Sequence, residues 1–138
     1  MRSRGLEEPA WLDPIAVHAI HQRQLSEHGG LAGVRDNGAL EAASAGPKQI
    51  FFYADPAPDI AALAAAYALG LVRNHPFVDG NKRVALVVSR TFLRLNSYDL
   101  VAPPDAKYLA VLELASRDMS EDAFAEFVRF NLFRWSGR

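Results

Sequence analysis

Between His75 and Arg83 the chain reads HPFVDGNKR, which gathers a base, an acid, a turn residue and two cations within nine residues. Each residue type suits a step of phosphate chemistry. Histidine titrates near neutral pH, so His75 can take a proton from an attacking hydroxyl. Asp79 supplies a hard carboxylate oxygen, and one carboxylate completed by phosphate oxygens and water is a usual way to hold Mg²⁺. Gly80 lets the backbone turn tightly and approach a ligand closely. The amides from Gly80 through Asn81 to Arg83 then open a helix, and unpaired N–H groups at a helix start favour anions. Lys82 and Arg83 add full positive charges there, and an arginine can grip two phosphate oxygens at once. Taken singly, these residues have ordinary uses: a dipole partner, a cap, a solvated pair. Phe77 is expected to anchor the loop in the core. Their joint occurrence points to transfer of a phosphate-containing group from a nucleotide.

Such a junction needs a helix on either side. Upstream, Asp59 is placed to cap IAALAAAYALGLVRN, where Ile60, Leu63, Ala64, Tyr67 and Leu71 form one stripe. This segment is apolar nearly all round and is expected to be the central helix, ending at His75 because Pro76 cannot continue it. Downstream, Val84, Val87, Val88, Phe92 and Leu95 predict a second buried helix, ending near Asn96. At the N-terminal end, Asp13 and Pro14 open a helix that Gly29 and Gly30 close. Asp36 caps a short helix over about 37–45 that Pro47 ends. The IFFY run, Ile50–Tyr53, predicts a short extended or hairpin-like piece near residues 48–55, either a hydrophobic plug or a flap that could align a target peptide by strand pairing. Asp105 and Ser120 are expected to cap the last two helices, with Phe124, Phe127 and Val128 facing inward. The architecture expected is all-α, about six helices in one domain over 1–138.

The chain has 138 residues, half of them hydrophobic, with a formal net charge of −1. That length can bury a real core, and the charge excludes a generally nucleic-acid-seeking or membrane-seeking surface. There is no cysteine, hence no disulfide framework or thiolate metal site. No membrane span or secretory leader is expected, so a cytoplasmic protein is. Three further features have a structural and a functional face. His18 and His21 share a helix face without an obvious third metal ligand. GGLAGVRD could cradle an anion, or be a turn that Arg35 and Asp36 tie down. FRWSGR could be a loose end, or a partner surface through Trp135.

The motif resembles the active-site signature of the Fic/Doc superfamily in its Doc (death-on-curing) form, matched by His75, Phe77, Asp79, Gly80, Asn81 and Arg83. IHQRQLSEHGGLAGVRDNGALEAA and ALAAAYALGLVRNHPFVDGNKRVALVVSRTFLRLN resemble its N-terminal and central blocks, giving coverage of about 11–134. The resemblance implies an all-α Fic fold that uses ATP and Mg²⁺ to modify a protein hydroxyl. It assigns His75 as general base, Asp79 as metal ligand, and Asn81 and Arg83 as phosphate binders, with Lys82 contributing by side chain or backbone. Typical Fic enzymes transfer AMP; Doc toxins phosphorylate a threonine of elongation factor Tu and arrest translation. Lys82 stands where Gly is common, and Leu86 where a second Arg is common. Both departures follow the Doc form and favour γ-phosphate transfer, with adenylylation as the alternative. An alternative of another class is a catalytically silent module acting through its antitoxin in transcriptional autoregulation. The inhibitory helix of many Fic proteins has its nearest match at Ser3-x-x-x-Glu7, which fails at Glu8, so a separate Phd-like antitoxin is expected. Ala42 and Gly46 replace the Ser and Arg common in the family before Pro47.

Overall fold

The computed structural model describes residues 7–135. Ser3 of the nearest inhibitory match lies outside them. Among the described residues, six helices run in the order α1 (Pro14–His28), α2 (Asn37–Tyr53), α3 (Ile60–Asn74), α4 (Asn81–Leu95), α5 (Pro104–Ser116) and α6 (Glu121–Phe130). Two three-residue strands, β1 (Tyr98–Leu100) and β2 (Leu132–Arg134), complete the fold. The protein is predominantly α-helical, as its apolar periodicity requires.

Local chemistry sets most boundaries. The carboxylates of Asp13, Asp36 and Asp59 accept the N–H groups of Ala16, Ala39 and Ala62, and the Ser120 hydroxyl accepts that of Ala123. Each pairs one of the amides that a helix start leaves free. Asp105 does not act as the expected cap: Pro103 occupies that position, Pro104 opens α5, and Asp105 lies in the first turn.

Helix α3 is the hub, packing against α2, α4, α5 and α6. Leu63, Ala64, Tyr67 and Leu71 are buried, and so are Ala61, Ala65, Ala68 and Val72 on its other sides. The Tyr67 hydroxyl accepts the Leu12 N–H at 2.9 Å, fixing the segment before α1. Asn96 accepts from and donates to the backbone of Ala10 in the same region. Val84, Val88 and Phe92 bury the inner face of α4 while Leu95 is exposed. In α6, Phe124 and Val128 are buried and Phe127 is packed partly against the core.

Two further expectations require correction. Pro47 does not end α2, and the stretch from residue 48 to Tyr53 is helical rather than an extended flap. The reason is packing. Leu40, Ala43, Ser44, Pro47 and Phe51 are buried and recur at helical spacing through the proline. One missing backbone hydrogen bond is offset by an uninterrupted apolar face on α3. The two short strands add to the expected all-α architecture. β1 pairs antiparallel with β2, Tyr98 opposite Arg134 and Leu100 opposite Leu132. Three residues are too few to display a period of two.

Candidate functional site

Helix α3 terminates with His75 in the left-handed region, φ 48°. That conformation is uncommon for a non-glycine residue and is held from outside the motif. Arg35, in the loop between α1 and α2, donates from Nε to the His75 carbonyl at 2.6 Å and from a terminal nitrogen to the Asn74 carbonyl at 2.7 Å. The amides of Arg35 and Asp36 donate to the Pro76 carbonyl, and Val78 donates to Gly33. Val34 and Phe77 form a bridge between the same two loops. GGLAGVRD is thus a brace for the motif, and Arg35 and Asp36 do tie it down.

The interior of the motif is equally determined. Phe77 is fully buried, its ring stacked on His21 with centroids 3.8 Å apart. Asn81, itself buried, spends both ends of its side-chain amide on Phe77: Oδ1 accepts the Phe77 N–H and Nδ2 donates to the Phe77 carbonyl, each at 3.0 Å. Asn81 also brings its backbone N–H to the cleft at the start of α4. His21 contacts the Asp79 carbonyl through Nε2 at 2.8 Å; a carbonyl only accepts, so Nε2 carries the proton. The histidine that shares a helix face with His18 therefore supports the loop. Sequence reading did not identify that role, because the partners lie 58 residues apart in the chain.

Asp79 is exposed, and its carboxylate is oriented by two backbone donors. Oδ1 accepts from Gly80 at 2.9 Å and Oδ2 from Leu31 at 3.1 Å. Each oxygen retains capacity for a further contact. Gly30 comes close beneath it, since a Cβ at that position would sit 3.0 Å from Oδ2. Gly80 has φ 81° and begins α4 without a side-chain cap. Four of the other five described helices carry one; α5 starts with proline instead. The first amides of α4 thus open toward a cleft of about 390 Å³. His75, Asp79, Gly80, Asn81, Lys82 and Arg83 all line it, so the fold brings the polar residues and the glycine of the motif to one cavity, while Phe77 is buried behind it. Gln24 and His28 of α1 and Tyr108 of α5 are also part of the wall. The Arg83 guanidinium lies 5.6 Å from the centre of the Tyr108 ring. A neighbouring groove of about 590 Å³ shares His75 and Lys82 and adds Val72, Leu109, Leu112 and Ala115.

The donor set suits a cation brought with phosphate. Among the described residues no group of three or more His, Asp or Glu side chains forms a metal cage. A single oriented carboxylate beside a positive helix start is the arrangement for Mg²⁺ that takes its remaining ligands from phosphate and water.

A family model described as the Fic/DOC family matches residues 11–93. The chain belongs to the Fic/DOC family. The matched span runs from the segment before α1 through most of α4 and so contains the whole brace and motif. Two relatives in this family are of Doc type. The chain is 41% identical over 99 residues to Toxin Doc of Mycolicibacterium smegmatis, covering 70% of this chain and 76% of the relative. It is 31% identical over 118 residues to Protein kinase doc of Escherichia phage P1, covering 86% and 92%. The longer of these likenesses, over 86% of this chain, extends past α4 into the part that supplies Tyr108. No described helix is long and apolar enough to cross a membrane.

Proposed function

We propose that this Fic/DOC protein is a Doc-type toxin, working in the cytoplasm, that transfers the γ-phosphate of ATP to a protein hydroxyl. The observation that carries this is the shared cleft: His75, Asp79 and the uncapped start of α4 open on one cavity. Likeness to a protein named as a kinase supports phosphoryl over AMP transfer.

In this reading His75 accepts the proton of the acceptor hydroxyl as its oxygen bonds to the γ-phosphorus. The bond from that phosphorus to the bridging oxygen breaks, and ADP leaves. The amides of Asn81, Lys82 and Arg83, with the Arg83 guanidinium, hold the phosphate oxygens as charge redistributes. Asp79 would hold Mg²⁺, which neutralises phosphate charge when bound. Asn81 serves through its N–H and by fixing Phe77. The acceptor segment reaches His75 from the apolar groove of Leu109 and Leu112. The acceptor proposed is a threonine of a translation factor such as elongation factor Tu, and the restraining partner a Phd-like antitoxin. The domain proposed spans the whole chain.

One assay tests the reaction. The protein is incubated with the elongation factor and ATP labelled at either the α- or the γ-phosphate. Transfer of γ label alone is the expected result. Transfer of α label would establish adenylylation instead, and transfer of neither to a competent acceptor would favour a binding module.

A further inference from the structure

A second cavity of about 380 Å³, formed by α4 and α5, shares no lining residue with the cleft above. Arg90, Thr91 and Arg94 of α4 face Lys107 of α5 across an apolar base that includes Leu86 and Val87. The lining holds three cations and no carboxylate. The acid alongside is Asp99 of β1, and it is already engaged. Its Oδ1 accepts from Arg90 Nε at 2.9 Å, and its Oδ2 from a second Arg90 nitrogen at 3.2 Å and from Arg94 at 3.1 Å. Two arginines thus share one carboxylate, and each keeps donors to spare, since a guanidinium carries five N–H groups.

Lys107 is the more telling residue. Its stem is buried, with the residue only 9% exposed, while its ammonium keeps access to the cavity and makes no ion pair or hydrogen bond among the described residues. Burial, then repulsion from Arg90, push its pKa below the usual lysine range, with Asp99 acting the other way. A charged group held without a partner at the wall of a cavity is poised for a ligand of opposite sign.

We infer that this α4–α5 cavity is an anion site for a phosphate group, separate from the active-site cleft. Charge selects the ligand. Arg90, Arg94 and Lys107 against Asp99 leave two net positive charges, which match a phosphate monoester or inorganic phosphate near pH 7 better than one carboxylate. Arginine forks, an ammonium and the Thr91 hydroxyl are also the donors that phosphate oxygens favour. The cavity has room for a small phosphorylated molecule as well as for the free ion.

The test is a titration of the full chain, without nucleotide, followed by backbone amide shifts. Inorganic phosphate and glycerol phosphate are the probes, with acetate as the carboxylate control. Saturable shifts at Leu86, Thr91 and Lys107 are expected with phosphate and not with acetate. Tighter binding of glycerol phosphate would identify a phosphorylated metabolite as the source, and tighter binding of phosphate the free ion. Lys107→Met should weaken these shifts about tenfold, by removal of one charge-assisted contact, and leave any response at Asn81–Arg83 unchanged. Arg83→Ala should do the reverse. Arg94→Gln, at a more exposed position, gives the same reading if Lys107→Met fails to fold. No saturable response at Lys107, or one indifferent to both substitutions, would overturn the site.

Discussion

At the scale of single residues, the motif divides into groups that meet a ligand and groups that hold the first set still. His75 is exposed at the cleft while its backbone carbonyl is bound by Arg35. His75→Ala should therefore lower phosphoryl transfer by about 10²–10⁴-fold, with thermal stability and nucleotide affinity nearly unchanged. Full activity in that variant would remove the base assignment. Asn81 is the opposite case. Its amide closes on Phe77 in the core, so Asn81→Ala should cost about 1–3 kcal/mol in denaturant unfolding as well as activity. Gly30 is a third kind, distant from the motif in sequence. A methyl group there meets the Asp79 carboxylate, and the backbone has φ 120°. Gly30→Ala should reduce kcat by about ten- to a hundredfold through displacement of Asp79. A fall in stability with unaltered turnover would show that the approach is merely structural.

At the scale of elements, the site depends on two junctions held side by side. The loop from Gly30 to Asp36 and the loop from His75 to Gly80 share backbone hydrogen bonds, so the ends of α1 and α3 and the starts of α2 and α4 are positioned together. The contact of α2 with α3 is correspondingly close. At Gly70 an added Cβ would lie 3.1 Å from Ala43 Cα, a backbone atom that can move only with its helix. Gly70→Ala should destabilise the protein by about 1–3 kcal/mol, measured as a lower midpoint in urea. An unchanged midpoint would mean that the helices separate more readily than their packing implies. Pro47 teaches the same lesson from the other side. As a local signal it forecasts a helix end, but the buried face that continues through it outweighs one lost bond.

At the scale of the whole molecule, ion pairs fasten the later elements to the earlier ones. Arg129 of α6 binds Asp59, the cap of α3, at 2.7 Å. Arg90 and Arg94 of α4 bind Asp99 of β1. The hydrogen bond from Arg129 and that from Arg90 hold the two carboxyl groups below the usual aspartate range, against the opposing effect of burial. Carboxyl groups with lowered folded pKa values stabilise the native state fully above the unfolded value, about 4. That contribution is lost as pH falls through the folded values. Unfolding free energy should thus drop in acid below about pH 4, and Asp99→Asn should flatten part of that drop. The same substitution should cost about 1–2 kcal/mol near neutrality, with screening at the exposed arginines taken into account. A pH profile identical to that of the parent chain would dismiss Asp99 as a contributor.

The amino-acid sequence by itself determined the helical class, four of the side-chain caps, the central place of α3, and the cluster from His75 to Arg83. These are local properties: a cap reads three residues ahead, and a buried stripe repeats every three or four. It also carried the family, because the motif and the two blocks around it lie in contiguous stretches. Only the tertiary structure decided that α2 runs on through Pro47 and that residues 98–100 pair with 132–134. It alone also decided that Asn81 turns inward and that His21, Leu31 and Arg35 support a motif forty to sixty residues away. The physical reason is the same in each case. Those outcomes rest on hydrogen bonds and packing between segments remote in the chain, where the gain from one buried partner outweighs the preference of a short local stretch.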